Sequence, residues 1–304
     1  MISATNTPHV LMAGGTGFIG KALTQALESQ GFTVKHLVRS KPEHPRQVQW
    51  NPQHGELNQK DIDTADIVIN LAGASIAGGW WTKSRKQLIL DSRVDSTTTL
   101  ATAIANSESK PELFISTSAV GYYGDRPGES VDETSNPGSM FMSDVCVQWE
   151  QSATPAREAG VRVVHPRFGV VMSGSGGMLP LISMPFKLAL GGRIGGDQHM
   201  AWIDLHDLLR IFDHIIASKS LEGPVNAVAP DATTNKEFTK AMGNALNRPT
   251  IVPVPKSVAA FVGGQLAREL LLADQHVVPT VLMETGFTFE RPTISDSLSA
   301  AFGK

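Results

Sequence analysis

The stretch Val10-Leu11-Met12-Ala13-Gly14-Gly15-Thr16-Gly17-Phe18-Ile19-Gly20 decides the fold. Four apolar residues stop at a glycine pair, which reads as a buried strand running into a tight turn. From Gly20 a helical period takes over, with Ala22, Leu23, Ala26 and Leu27 on one face and Gly31 as its stop. Glycines 14, 17 and 20 occupy that strand-to-helix turn. One permits the turn, one lets the backbone approach a pyrophosphate, and one lets the helix pack on the strand. The helix N-terminus adds free N–H groups and a partial positive charge. Any strand-to-helix turn can use glycine, but here the strand and the helix are both present. Gly14, Gly15, Thr16, Gly17, Phe18, Ile19 and Gly20 are therefore the expected cradle of a dinucleotide.

The next strand selects which dinucleotide. An NAD site usually closes its second strand with Asp or Glu about 20 residues after the glycines, on the ribose hydroxyls. Here the strand read at Thr33 to Val38 ends in Arg39-Ser40-Lys41, nineteen residues after Gly20. An acidic residue there would repel a 2′-phosphate, whereas Arg39, with Ser40 beside it, can grip one through charge-assisted hydrogen bonds. NADP(H) is the expected cofactor, and an exposed basic turn is the plainer alternative.

Outward from this unit the same alternation continues. Ile67 to Ala72 and Leu113 to Thr117 read as strands, Lys83 to Ala105 as a long helix, Ser143 to Ala159 as another, and Val161 to Val164 as a return to the sheet. Wholly apolar strands alternating with helices indicate a parallel sheet covered on both faces. Segment 172–200, rich in Gly, Met, Ser and Pro, reads as a long functional loop. Helices are expected over Leu205 to Ala217, Thr234 to Leu246 and 256–273, with a strand over Pro224 to Ala229. The fold expected is α/β: a Rossmann-like doubly wound parallel sheet with a smaller C-terminal α/β cap. Its NADP(H)-binding domain is placed at 1–170, with later returns to the sheet, and the substrate and cap region at 171–304.

Composition removes other classes. The chain has 304 residues, 26 Lys+Arg against 29 Asp+Glu, one cysteine and two tyrosines. A chain this long buries enough surface to need no disulfide or metal staple. One cysteine forbids an internal disulfide and any cysteine-based metal cluster, which suits a reducing cytoplasm. The near-neutral balance gives no electrostatic case for nucleic acid. Met1 to His9 has neither the basic start nor the apolar core of a leader, and no apolar run approaches the ~20 residues that span a bilayer. A soluble cytoplasmic protein with no metal, no nucleic-acid partner and no membrane partner is expected.

With Asn70-Leu71-Ala72-Gly73, Ser116-Thr117-Ser118 and His165-Pro166-Arg167 also in place, the chain resembles the extended short-chain dehydrogenase/reductase superfamily. Asn70 to Ala77, Trp81 to Thr97, Arg167 to Met172, Leu190 to Gly195 and Trp202 to Leu208 narrow the resemblance to its atypical, epimerase-like subfamily. Members of that subfamily are called nucleoside-diphosphate-sugar epimerases or cell-division inhibitors. Residues 249–304 look like the subfamily's C-terminal domain of unknown function. The resemblance implies that Leu71, Ala72 and Gly73 pass under the cofactor's adenosine and pyrophosphate. It further implies that Arg93 faces the cofactor and that Gly169 and Val170 lie near the nicotinamide. Read without it, the same residues are a strand end and a solvated helix position.

The superfamily's reaction uses a tyrosine with a lysine four residues later, the lysine drawing the phenol's pKa down from about 10, and a serine on the substrate oxygen. Ser118 occupies the serine position. Counting along the helix that holds Trp149-Glu150 puts Met142 at the tyrosine position and Cys146 at the lysine position. The only tyrosines are Tyr122 and Tyr123, directly after Ser118, and four residues beyond them stand Arg126 and Pro127. No Tyr-x-x-x-Lys exists in the chain. Three readings stay open: Tyr122 or Tyr123 acts as surrogate acid with Ser118; Asp144 or Cys146 does acid/base work; or NADP(H) is bound without turnover.

Asp204, His206 and Asp207 could form an acid/base or metal cluster, but their place at a helix start favours capping. Trp80-Trp81 reads as packing. In the 172–200 loop, Lys187 and Arg193 are the natural anion partners of a substrate, with His199, Met178 and Met200 beside them. The function expected is an NADP(H)-binding, epimerase-like oxidoreductase acting on a small molecule, with a nucleotide sugar as one candidate. The competing reading is a catalytically silent NADP(H)-binding regulatory or structural protein, linked to cell division by name alone. Oligomeric state is left open.

Overall fold

The computed structural model describes residues 7–303; residues 1–6, within the stretch read for a leader, lie outside it. The chain first runs β1 (His9–Ala13), α1 (Phe18–Ser29), β2 (Thr33–Val38), β3 (Gln47–Gln49), α2 (Gln59–Asp63), β4 (Ile67–Asn70), α3 (Lys83–Ala105) and β5 (Leu113–Ser116). There follow β6 (Ser118–Ala119), β7 (Ser130–Val131), α4 (Phe141–Gln151), α5 (Thr154–Glu158), β8 (Arg162–Phe168) and β9 (Val170–Met172). Next come α6 (Leu179–Lys187), β10 (His199–Met200), β11 (Trp202–Asp204), α7 (Leu205–Ala217), β12 (Gly223–Ala227) and β13 (Thr233–Thr234). The last are α8 (Asn235–Leu246), α9 (Lys256–Leu270), β14 (His276–Val277), α10 (Thr280–Glu284) and α11 (Ile294–Ala301).

Two compact units interleave along this order. The first takes the chain up to Thr117 with residues 148–165 and 218–223; the second takes 118–147, 166–217 and 224 onward. The units therefore trade segments on both sides of residue 170, the linear boundary expected from sequence.

In the first unit the strands pair in parallel in the order β3-β2-β1-β4-β5-β8. This is the Rossmann order, which reverses direction at β1 and places ligands at the carboxyl ends of the strands. Leu11, Val68, Phe114 and Val163 pack in one buried cluster with Leu100, Ile104, Ala153 and Ala156, while the alternate residues Val10, Met12 and Ile69 are buried as well. Burial on both faces explains why these strands carry no polar alternation. α3 starts where Thr82 Oγ1 accepts the Arg85 N–H, an N-cap that its sequence signals.

The second unit holds three small two-stranded pairings: β9 with β11 and β7 with β14, both parallel, and β10 with β13, antiparallel. Its core gathers Trp202, Leu179, Phe186, Phe238, Met242, Ile294 and Leu298. α8 opens on a reciprocal capping box between Thr234 and Glu237.

Three expectations change. The helix read over 143–159 is two, α4 and α5, because Pro155 has no N–H to give and its ring clashes with the preceding turn. The 172–200 loop contains α6, with Pro180 in its first turn, where a missing N–H costs nothing. α9 is broken at Gly264, whose φ of 57° and ψ of −141° no helix accommodates. No helix among the described residues is long and apolar enough to cross a membrane.

Candidate functional site

The glycine turn follows β1 with geometry that admits little else. Gly14 has φ +79°, and a Cβ there would stand 2.7 Å from the Leu71 carbonyl group. A methyl on Gly20 would overlap the Gly14 carbonyl oxygen, and one on Gly15 would overlap the His36 ring. Gly17 caps α1 with no side chain, and no acidic residue sits in the first turn. The first-turn N–H groups of the helix thus receive no side-chain cap from the chain, an arrangement that suits an anion. Arg39 and Ser40 are exposed at the end of β2, and neither side chain makes a hydrogen bond or ion pair with the described residues.

The turn after β4 is built from inside. Asn70, fully buried, donates to Thr97 Oγ1 (2.9 Å) and Ser96 Oγ (3.2 Å) and accepts the Ala72 N–H at 3.0 Å. Thr117 Oγ1 donates to the Asn70 carbonyl at 2.9 Å. Arg93 reaches this turn from α3: its guanidinium donates to Ala74 O (3.1 Å) and Ile89 O (2.9 Å) and lies against Gly73. It also stands 5.0 Å from the Trp149 ring. Arg93 is thus buried and bonded to the stretch that follows Leu71-Ala72-Gly73. His165 links β8 to β5 through Nδ1 and Ser116 O, 3.0 Å apart.

In the second unit, β6 pairs with the end of β8, Ser118 opposite Arg167. The Ser118 hydroxyl is buried and finds no hydrogen-bond partner among the described residues. The turn that follows separates the two tyrosines. Tyr123 is fully buried; its hydroxyl donates to Asn226 Oδ1 (2.7 Å) and accepts from Arg167 Nη1 (2.8 Å). Burial pushes its phenol up to about 12, against the pull of Arg167 and the Asn226 bond. Both sides of the Tyr123 hydroxyl are thus engaged, so a role as surrogate acid beside Tyr122 would require one of these bonds to break. Tyr122 is half-buried, its ring carries the Arg167 guanidinium at 3.5 Å, and its hydroxyl bonds to no described residue.

The positions of the missing pair face the same turn. A Cβ on Gly121 would stand 3.0 Å from Met142 Cβ and 3.8 Å from Cys146 Sγ. Cys146 is fully buried, with Sγ 3.6 Å from Ala119 O, and Asp144 is exposed on the first turn of α4. The two positions on α4 where the resemblance expects the pair hold Met142 and Cys146, both buried and without a hydroxyl or an amine.

The remaining candidates divide. Gly169 packs against the Ala201–Trp202 backbone, where a Cβ would stand 2.8 Å from Ala201 O, and the Val170 N–H donates to Ala201 O at 2.9 Å. Lys187 is exposed, 5.7 Å above the Phe302 ring, and Arg193 pairs with Asp197 at 3.1 Å. His199 pairs with Asp274. Asp204 and Asp207 serve structure: Asp204 accepts from the His206 N–H, Arg291 and Ser297, and Asp207 from Arg210 and the Glu290 and Arg291 N–H groups. Sequence reading missed His36, Asn226, Glu133 and Asp274. His36 lies in β2 with no motif around it, and its ring is held below its usual pKa by burial, partly offset by Glu28. The others meet partners far along the chain, a relation that no local spacing reports.

The strand order and the glycine cradle define a Rossmann-fold dinucleotide-binding protein. Residues 10–227 match the NAD dependent epimerase/dehydratase family, and residues 254–301 match a domain of unknown function, DUF1731. The chain belongs to that epimerase/dehydratase family. It is 41% identical over 293 residues to an epimerase family protein, Mb2239, of Mycobacterium bovis, covering 96% of this chain and 97% of that one. The crystal structure of human epimerase family protein SDR39U1 with NADPH superposes with a TM-score of 0.88 at 34% identity, over 97% of this chain and 99% of that one. A nucleoside-diphosphate sugar epimerase from Corynebacterium glutamicum superposes with a TM-score of 0.81 at 34% identity, over 98% of this chain and 59% of that longer one.

Proposed function

We propose that this chain binds NADP(H) and acts as an oxidoreductase or epimerase-type enzyme on a small oxygen-bearing substrate. The observation that carries the reading is the Ser118 hydroxyl, buried and without a partner among the described residues. Leaving such a group unpaired costs about 1–3 kcal/mol, and a substrate oxygen in hydrogen-bond reach removes that cost. Gly14, Gly15, Gly17 and Gly20 would hold the pyrophosphate, Leu71 to Gly73 the adenosine side, Gly169 and Val170 the nicotinamide, and Arg39 with Ser40 the 2′-phosphate. Bound there, NADP(H) supplies or takes a hydride. This chain's residues do the rest: Ser118 orients the substrate oxygen, and Tyr122, with its free hydroxyl, lines the site.

The name of the Corynebacterium relative supports a nucleotide sugar as the substrate class, and Lys187 and Arg193 are the cations offered to its phosphates. The single cysteine, buried and outside any disulfide, suits a cytoplasmic location. A second reading, NADP(H) binding without turnover, draws on Met142 and Cys146 at the missing pair and on Tyr123's full commitment.

The test has three parts. NADPH should raise the melting temperature more than NADH, and Arg39→Ala should abolish that difference; equal shifts in the wild type would overturn the NADP(H) assignment. A carbonyl and nucleotide-sugar panel should show NADPH oxidation or an epimerised product, lost in Ser118→Ala. Silence across the panel, with NADPH still bound, favours the second reading. Unchanged substrate affinity in a Lys187→Ala, Arg193→Ala double variant would remove both cations from the site.

A further inference from the structure

A histidine and an aspartate 75 residues apart meet in the second unit. His199 lies on β10, opposite Thr234 of β13. Its backbone N–H and its ring Nδ1 both bond to Asp274 Oδ1, at 2.8 and 2.9 Å. A carboxylate that accepts from Nδ1 keeps the hydrogen on that nitrogen, so a neutral ring presents its lone pair at Nε2. Nε2 makes no hydrogen bond with the described residues, and the side chain retains 28% of its exposure.

The carboxylate is itself fixed. The Asp274 N–H donates to Asp125 Oδ1 (2.7 Å), and its carbonyl accepts the Arg126 N–H (2.9 Å). Burial pushes the Asp274 carboxyl up, but the bonds from the His199 main chain and ring and from the Gly128 N–H outweigh it, and the group is held below the usual carboxylate range. It therefore stays ionised, as an orienting partner must. The His276 ring stacks on His199 with centroids 4.8 Å apart and planes 23° from parallel, which restrains rotation of the imidazole. This is the base-plus-orienter arrangement that proton-transfer chemistry uses.

Gln275 joins this pair to the turn that follows Ser118 and carries Tyr122. Its N–H donates to His199 O (3.1 Å), and its side-chain amide donates to Gly124 O (3.1 Å) and Val120 O (3.3 Å). Ala201 and Val277, flanking the two histidines, pack with Val120 and Tyr123. Gln275 thus ties the His199 backbone, through its own side-chain amide, to the turn that follows Ser118.

We infer that His199, oriented by Asp274, is the proton-transferring group of this protein and fills the role that Met142 and Cys146 leave vacant. The inference rests on the reading that Ser118 receives a substrate oxygen. In the reducing direction the Nε2–H bond of the imidazolium breaks and an O–H bond forms on that oxygen; the neutral ring regains its proton from water. In the oxidising direction Nε2 takes the hydroxyl proton and passes it to water. His199 is then the catalytic residue and Asp274 its positioning residue.

The full-length protein is assayed with NADPH on the same carbonyl and nucleotide-sugar panel. His199→Asn keeps a side-chain N–H for Asp274 while removing Nε2, and it should lower kcat by about 10²–10⁴-fold, the usual contribution of general acid–base catalysis, with KM little changed. His199→Gln gives a second variant should the first not fold, with melting and NADPH titration as the check. Asp274→Asn should lower kcat in the same sense. In ¹⁵N-resolved imidazole spectra it should also shift His199 away from the Nδ1–H tautomer, which a purely structural role would leave in place. Wild-type kcat in both folded His199 variants, with Ser118→Ala inactive, would refute the dyad and leave the reading of Ser118 standing. A wild type silent on the whole panel would refute that reading and the dyad with it. An unmoved tautomer in Asp274→Asn would refute the orienting role.

Discussion

Replacing Tyr123 with phenylalanine separates a structural tyrosine from a catalytic one. The substitution keeps the ring, whose burial is complete, and removes one oxygen that serves two partners. Asn226 Oδ1 loses a donor at 2.7 Å and Arg167 Nη1 an acceptor at 2.8 Å. Each buried polar group left unsatisfied costs about 1–3 kcal/mol, less the gain from no longer burying a hydroxyl, so a net loss of about 2–4 kcal/mol is expected. At roughly 2 °C per kcal/mol for a chain of this size, the melting temperature should fall by about 4–8 °C. A pH signature accompanies it. The folded phenol at about 12 lies above the ordinary value of about 10, so its contribution is present below pH 10 and is lost as pH rises to 12. That difference corresponds to about 3 kcal/mol. Thermal melts of wild type and Tyr123→Phe from pH 8 to 11.5 read both effects: the wild type should lose stability faster at the alkaline end, and the two curves should converge. Turnover of the folded variant well below its melting temperature should match wild type. Unchanged melting with abolished turnover would refute the structural assignment.

Further outcomes follow from single contacts. Gly20→Ala should destroy NADPH binding and lower the melting temperature, because its methyl would overlap the Gly14 carbonyl oxygen; a fluorescence titration with wild-type affinity would contradict the cradle. Asp207→Ala removes a fully buried carboxylate that accepts from Arg210 and from the Glu290 and Arg291 N–H groups. It should cost about 3–5 kcal/mol, with faster hydrogen exchange over 288–297. Glu133 is buried and its carboxyl is pushed up by that burial, against the bonds from the Asn226 and Val281 N–H groups. Its ionisation therefore opposes folding as pH rises, and Glu133→Gln, which keeps an acceptor oxygen for both N–H groups, should gain stability over wild type from acidic to neutral pH in paired denaturant titrations.

Much of the first unit was readable before any coordinates, because its determinants are local. A strand buried on both faces must be apolar throughout, and a helix must repeat its apolar residues at intervals of three and four. A turn that brings a helix start against a strand end admits only glycine, as the Gly14 and Gly20 contacts show. Arg39 was equally legible as a charge at a known distance from the glycines. Arg93 was not: its position on α3 is a matter of spacing, but its contacts, against Gly73 and the Trp149 ring, are a matter of packing. The apolar period over 143–159 continues across Pro155, but the helix does not, because proline opens a new first turn there.

The amino-acid sequence by itself determined the glycine cradle, the alternating strands and helices, and the absence of any Tyr-x-x-x-Lys, since each depends on residue identity at short separation. It could not rank Tyr122 against Tyr123, adjacent residues of one type in one turn. Packing did that, by setting Tyr123 against Asn226, 103 residues away, and Arg167, 44 residues away, while leaving the Tyr122 hydroxyl open. Nor could it join His199 to Asp274 across 75 residues. Which distant side chains meet is chosen by the burial of whole elements, and the hydrogen bonds between buried polar groups are satisfied only once that choice is made.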